Sequence, residues 1–258
     1  MRKQLVYLAI KYNGDYNKIT KAVVENEKIP HDVIEKELKK IKSNYVTILD
    51  EHYPILLRQL KNPPYVLFYY GNLSYVKIDC VALIGMRECS VYGSDMAKYF
   101  TKQLSDYCVV VSGLAKGIDR ICHLNAKKTI AVLGCGIDYC YPKENLEIYN
   151  NIKINGLLIS EYPGDLAPKA YYFPWRNRIV AALSLGIVVI EARRKSGTMI
   201  TVSHALELGK PIFAVPCRIN DYNGTLGLIK DGAICVESPL DIIEELNLHK
   251  GYWHFLWK

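Results

Sequence analysis

Six continuous apolar runs stand out along the chain: "CVALIG" (80–85), "CVVVSG" (108–113), "TIAVLG" (129–134), "GLLIS" (156–160), "GIVVIEA" (186–192) and "PIFAVP" (211–216). Most close on a small residue or a turn signal, and helix-length segments separate them. Runs with no polar alternation are strands buried on both faces, and their alternation with helices predicts a mainly parallel, doubly wound α/β sheet. In such a sheet, ligands sit beyond the carboxyl ends of the strands. Function is therefore expected in the loops that follow the runs: "GMRECSVYG", "SGLAKGID", "GCGIDYCYP", "SEYPGD" and "EARRKSGT".

Ahead of the sheet, residues 1–44 read as a small N-terminal helical domain. "DYNKITKAVVENEK" and "HDVIEKELKKIKS" space their apolar residues three and four apart, with Pro30 between them. "YVTILDEHYPILLRQLKNPPYVLFYYGNL" then gives a strand, a turn at Tyr53-Pro54, a short helix, a Pro63-Pro64 break and a second strand, an entry ribbon onto the sheet. The main domain spans 45–246. An aromatic tail, 247–258, reads as a docked terminal segment or an interface strip.

Composition narrows the class. Half of the 258 residues are hydrophobic, enough for a substantial core. No run of about 18 uncharged apolar residues occurs, and the first apolar stretch is too short, and lacks the cleavage site, for a signal peptide. A soluble, cytoplasmic protein with no membrane partner is expected. Eight cysteines include no C-x-x-C pair and several lie within apolar runs, so they read as buried free thiols. The net charge of +7 permits a nucleic-acid partner without demonstrating one.

Several standard engines are missing. Gly134-Cys135-Gly136 is followed by Tyr139 where a dinucleotide fingerprint needs its last glycine. There is no G-x-x-x-x-G-K-[ST], no H-E-x-x-H and no G-x-S-x-G. Neither cofactor nor metal is expected.

Three strand-to-helix turns remain. In "SGLAKGID", Ser112, Gly113, Lys116 and the free N–H groups of a helix start can converge on an anion; the turn also reads simply as a tight one in which Gly117 permits close packing. Asp119 and His123, one helical turn apart, read as an intrahelical pair. "GMRECSVYG" places Arg87 at the carboxyl edge of the sheet, where a planar guanidinium suits phosphate. Ser196, Gly197 and Thr198 form a compact polar turn that can cap a helix or offer donors to an anion.

Charge gathers in one segment. From Lys169 to Lys195 there are six basic residues (Lys169, Arg176, Arg178, Arg193, Arg194 and Lys195) against Glu191 alone, a net +5 of the chain's +7. Tyr171, Tyr172, Phe173 and Trp175 stand beside them, and aromatic faces next to guanidinium groups suit stacked bases. On a helix Arg176 and Arg178 point about 200° apart, so one of them is expected to be structural, paired with Glu161 or Glu191. The "RRK" triplet reads as rim.

In this order, "GMRECSVYG", "SGLAKGID", "TIAVLGCGIDYCYPKEN", "LLISEYPGD", "FPWRNRIVAALS", "VVIEARRKSGTMIT" and "LIKDGA" resemble the DprA/Smf DNA-processing proteins of bacteria, over roughly residues 45 to 245. The resemblance implies an extended Rossmann-like domain, usually dimeric. Such a protein binds and protects single-stranded DNA and helps load a RecA-type recombinase onto it in natural transformation. Carried over by position, the basic pocket comprises Arg87, Lys116, Arg176 and Arg178 with Asn177 in support, shaped by Ser112, Gly113 and Gly117 and by Ser196, Gly197 and Thr198. Met86 departs from the serine common there, and "YNGTLG" from the usual glycine-then-asparagine arrangement. The winged-helix-like domain seen after the core in many members is not expected here, because little sequence follows the sheet.

Two rival functions stand beside it. A phosphoribohydrolase-like enzyme would carry "PGGxGTxxE"; "EARRKSGTMITVSHALE" keeps Gly-Thr but neither the double glycine nor the glutamate at that spacing. The other is a recombinase adaptor or nucleotide-sensing scaffold, using residues 1–44 or "SPLDIIEELN" as contact elements; both segments read more simply as completing the fold. A non-catalytic DNA-binding protein is the expectation.

Overall fold

The computed structural model describes residues 1–218 and 222–250. Residues 251–258 of the aromatic tail lie outside the described residues. The chain opens with α1 (Arg2–Lys11), α2 (Tyr16–Val24) and α3 (His31–Leu38). Asp15 caps α2 by accepting from the Lys18 amide at 3.1 Å, and Pro30 precedes α3. β1 (Asn44–Thr47) and β2 (Val66–Gly71) follow, with a 3₁₀ turn at Ile55–Gln59 in place of the expected short helix.

The alternation then runs β3 (Cys80–Gly85), α4 (Val91–Leu104), β4 (Val109–Ser112), α5 (Ile118–Asn125), β5 (Thr129–Gly136), α6 (Leu146–Asn155), β6 (Leu157–Tyr162), α7 (Tyr172–Leu183), β7 (Ile187–Glu191), α8 (Gly197–Glu207) and β8 (Ile212–Ala214). α9 (Gly224–Lys230), β9 (Ile234–Cys235) and α10 (Pro239–Glu245) complete it. All six apolar runs are strands. β9, two residues inside "AICVE", carried no pattern long enough to read.

The strands form one sheet in the order β1-β2-β6-β5-β4-β3-β7-β8-β9. From β6 to β9 every pairing is parallel, whereas β1 and β2 add antiparallel at the β6 edge, the expected entry ribbon. Side chains alternate between faces as the pleat requires. Cys80, Ala82 and Ile84 enter the core beneath α7 and α8, while Val81 and Leu83 enter the opposite core with Ala97 and Phe100 of α4. Leu5, Leu8 and Ile19 of α1 and α2 share an apolar cluster with Val66 and Phe68 of β2 and Leu133 of β5. The N-terminal helices are thus packed directly on the sheet.

Connectivity fixes where a ligand can sit. From β3 the chain steps outward through β4, β5 and β6, then α7 carries it back to place β7 on the other side of β3. Between β3 and β7 the winding reverses, and the strand ends there open a crevice. α7 spans this crossover, lying over β5 and reaching β3 and β4. Its second half, Ile179 to Leu183, is wholly buried and its last carbonyls need donors. Lys210 supplies them, its ammonium donating to the carbonyls of Ala181, Ala182 and Ser184 at 2.9, 2.6 and 2.5 Å.

Replacing Lys210 by Met leaves these carbonyls without that donor. The expected loss, by the scale of hydrogen bonds to charged groups, is about 1.5–3 kcal/mol. Urea unfolding reads it as a lower midpoint at unchanged slope.

Candidate functional site

Three turns meet at the switch point, after β3, β4 and β7, and the chain ties them together. Gly117 has φ +70°, and a Cβ there would stand 2.2 Å from the Met86 carbonyl oxygen and 2.5 Å from that of Arg87. Only glycine lets the second turn lie against the first. The Glu191 carboxylate, at the end of β7, accepts from the Ser90 amide at 2.9 Å and the Ser90 hydroxyl at 2.6 Å. Thr198 donates its hydroxyl to the Gly85 carbonyl at 3.1 Å, joining the third turn to the first.

Arg176 enters this assembly from the first turns of α7. Only 5% of it is exposed, its Nη1 donates to Gly113 O at 2.7 Å and to Val132 O, and its Nε donates to Asn177 Oδ1 at 3.1 Å. A Cβ on Gly113 would meet the guanidinium at 2.6–2.8 Å, so the glycine makes room for the arginine. Asp119 lies beneath, its carboxylate accepting from the amides of Gly113 and Ala115 at 3.2 and 3.3 Å. Burial pushes the Asp119 pKa up, and Arg176 opposes that. Burial likewise draws the Arg176 pKa down from its ordinary value, with Asp119 opposing.

Above Arg176 lies a cleft of about 730 Å³. Its cations are Arg87, Lys169, Arg176, Arg193 and Lys195, its carboxylates Glu88 and Asp119, an excess of three positive charges. Tyr141 and Phe173 form the aromatic wall, with ring centroids 5.5 Å apart, and the Arg87 guanidinium lies 5.5 Å over the Phe173 ring. A side recess of about 50 Å³ continues past the same aromatics to Lys116. Cations and polar turns at strand ends can hold phosphate oxygens, and the aromatic wall can take base faces.

The structure brings most of the expected residues together. Arg87, Gly113, Arg176, Asn177, Ser196, Gly197 and Thr198 line the cleft. Lys116 lines only the side recess, where its ammonium is paired with Glu144 at 2.6 Å. Three positions are corrected. Ser112 is buried, and its hydroxyl donates to Leu83 O at 2.7 Å, which makes it a bolt between strands. Gly117 serves packing between two turns and does not line the cleft.

Arg178 is the third. It points to the other side of α7, 4% exposed, and donates through Nη2 to both oxygens of Glu161 at 2.7 and 2.9 Å. It also stacks 4.1 Å from the Trp175 ring. The expected structural arginine is therefore Arg178, and its partner is Glu161.

Other expectations change as well. Asp119 and His123 do not bond each other: His123 Nδ1 meets Thr129 Oγ1 at 2.7 Å. That hydroxyl already donates to Val110 O at 2.9 Å, so His123 donates. Of the four aromatics near the basic segment only Phe173 lines the cleft. Tyr172 stacks on Tyr162, and Trp175 donates to Glu161 at 3.0 Å. Met86 lines the cleft at the position where a serine is common in the family it resembles, and Arg193 and Lys195 of the "RRK" rim line it too. Tyr141 was missed, although "GCGIDYCYP" was among the strand-end loops that could have signalled it.

Residues 44–247 match the family model described as DNA recombination-mediator protein A. The chain belongs to this family, the DprA/Smf proteins. DNA processing protein DprA of Streptococcus pneumoniae is 41% identical over 220 residues, 83% of this chain and 77% of that protein. DprA of Bacillus subtilis is 37% identical over 211 residues, 79% of this chain and 71% of its own length. Among solved structures, the X-ray structure of S. pneumoniae DprA superposes with a TM-score of 0.81 at 35% identity, covering 96% of this chain and 94% of that one. DprA of Helicobacter pylori, whose structure describes a single-stranded DNA binding mode, superposes with a TM-score of 0.75 at 33% identity, covering 81% and 99%. The nine-stranded Rossmann-like sheet is thus the fold of the DprA proteins.

The buried pair behind the cleft sets a stability test. Arg178→Met leaves the Glu161 carboxylate buried without its cation. The expected cost is roughly 3–5 kcal/mol in denaturant unfolding. A loss below about 1 kcal/mol would place this pair with exposed ion pairs.

Proposed function

We propose that this member of the DNA-processing family binds single-stranded DNA along the switch-point cleft and does so without catalysing a reaction. The observation that carries the reading is the combination of five cations with an aromatic wall of Tyr141 and Phe173 in one crevice. Arg87, Lys169, Arg193 and Lys195 take backbone phosphates from the exposed rim, and Arg176 contributes fixed charge from beneath. Tyr141 and Phe173 accept base faces, a contact tolerant of sequence because every base has a π face. The single-strand binding described for the H. pylori relative supports this choice of ligand.

The non-catalytic part of the reading rests on how the cleft acids are engaged. Among the described residues the two cleft carboxylates have separate settings: Asp119 is buried and accepts from two amides, and Glu88 is exposed on the rim. The wider role we propose is protection of incoming single strands and their transfer to a RecA-type recombinase in the cytoplasm, by a homodimer that presents two clefts. Residues 1–44 act in it as a helical appendage to a DNA-binding body spanning 45–246. Two clefts on one particle raise the effective concentration of DNA at the second.

Fluorescence anisotropy over a salt series, with single-stranded and duplex oligonucleotides, tests the proposal. Wild type prefers the single strand at matched salt. Arg87→Ala and Lys195→Ala each flatten the log-log salt slope by about 0.7, the value of one phosphate contact on a single strand. Unchanged affinity and slope in both folded variants, or equal affinity for duplex, would sink the assignment. Sedimentation of the same samples reads the dimer, and recombinase filament assembly on the bound strand reads the transfer; a one-chain mass or unaltered assembly removes that role.

A further inference from the structure

The first turns of α7 carry two faces with separate occupations. Phe173, Arg176, Asn177 and Val180 look into the cleft, at the three- and four-residue spacing of one helix face. On the opposite face Trp175 and Arg178 close over Glu161. Trp175 Nε1 donates to Glu161 at 3.0 Å, and Arg178 Nη1 donates back to Trp175 O at 3.1 Å. Trp175 is the residue before Arg176, so displacement of its backbone is displacement of the arginine that reaches Gly113 and Val132.

What presses on that second face is the turn between α1 and α2. Gly14, with φ +70°, lies so close to the end of β6 that a Cβ would stand 2.6 Å from the Glu161 carbonyl oxygen and 2.9 Å from the Tyr162 ring. Two residues on, the Tyr16 ring stacks on Tyr65 at 5.2 Å and 20° and lies 6.4 Å from Trp175, tilted by 51°. Thr20 and Tyr65 join hydroxyls at 3.1 Å beside it. The helical appendage therefore touches the back of the same helical turn whose front forms the cleft.

We infer that the α1–α2 turn positions the anion cleft through the Trp175 backbone, with Tyr16 as a positioning residue for Arg176 and Phe173. This rests on the reading of the cleft as the single-strand site. Tyr16 touches no ligand; its ring fixes Trp175, the Glu161 and Arg178 pair holds Trp175 from the other side, and Arg176 inherits the position. By linkage, a strand bound at the front biases the contact at the back, so Trp175 reports occupancy.

The test uses the full chain with Trp253→Phe and Trp257→Phe, which leaves Trp175 as the one indole. A labelled single-stranded oligonucleotide is titrated against this background and against Tyr16→Leu, Tyr16→Phe, Tyr65→Leu and Ile34→Ala added to it. The background binds, and its Trp175 emission changes as it does. Tyr16→Leu and Tyr65→Leu bind roughly three- to tenfold more weakly, the scale of a lost aromatic pair, and lose that emission response. Tyr16→Phe restores both. Ile34→Ala, on α3 and outside the contact, lowers the melting temperature with affinity unchanged.

Wild-type affinity and emission response in a folded Tyr16→Leu or Tyr65→Leu would overturn the positioning role. Equal weakening by Ile34→Ala would do the same, by tracing the effect to stability alone. No binding by the background would refute the single-strand reading itself, and the positioning claim with it.

Discussion

The site depends on one guanidinium. Arg176 runs from α7 over the empty side of Gly113 and donates to the Gly113 carbonyl, just past the end of β4, and to the Val132 carbonyl within the neighbouring parallel strand β5. It holds the crossover helix to the sheet and at the same time puts a permanent charge at the floor of the crevice. Both tasks require burial, and burial of a cation requires acceptors and a counter-charge, which Asp119 and Asn177 supply. The three glycine-bearing turns, the reversal of winding between β3 and β7 and the aromatic wall are arranged around that group.

Arg178, two residues on, divides the labour. Its charge is spent on Glu161 and its face on Trp175, so none of it reaches the cleft. One helix thus carries a cleft-facing arginine and a fold-facing arginine, kept apart by helical geometry. The N-terminal helices dock behind the second and stand one residue away from the first. Residues 1–44, which read as completing the fold, stand against the back of the helical turn whose front lines the cleft.

Much of this was legible from residues alone. The six strands declared themselves because burial on both faces removes polar alternation, and the switch-point turns followed from the strands. The 200° separation of Arg176 and Arg178 showed that their jobs differ, and named Glu161 among the partners. It did not say which arginine was which, because Glu161 and Glu191 stood equally available until the topology sent Glu191 to Ser90. Ser112 looked like a phosphate hydroxyl because a strand end is where one would be; its inward pleat turned it to Leu83. Lys116 keeps the right neighbourhood but is tied to Glu144, 28 residues away in the chain and outside any local pattern. Tyr141, set on the cleft by its loop, had no charge or spacing to mark it.

The central claim is that a single strand lies across the turns of the switch point. Amide hydrogen exchange with and without a single-stranded oligonucleotide reads this directly, because backbone groups covered by the strand slow and others do not. Protection is expected to concentrate at residues 85–90, 113–117 and 192–199, with Arg87→Ala reducing it. Protection confined to the lysine-bearing surface of α3, or absent from all three turns while DNA is bound, would contradict it.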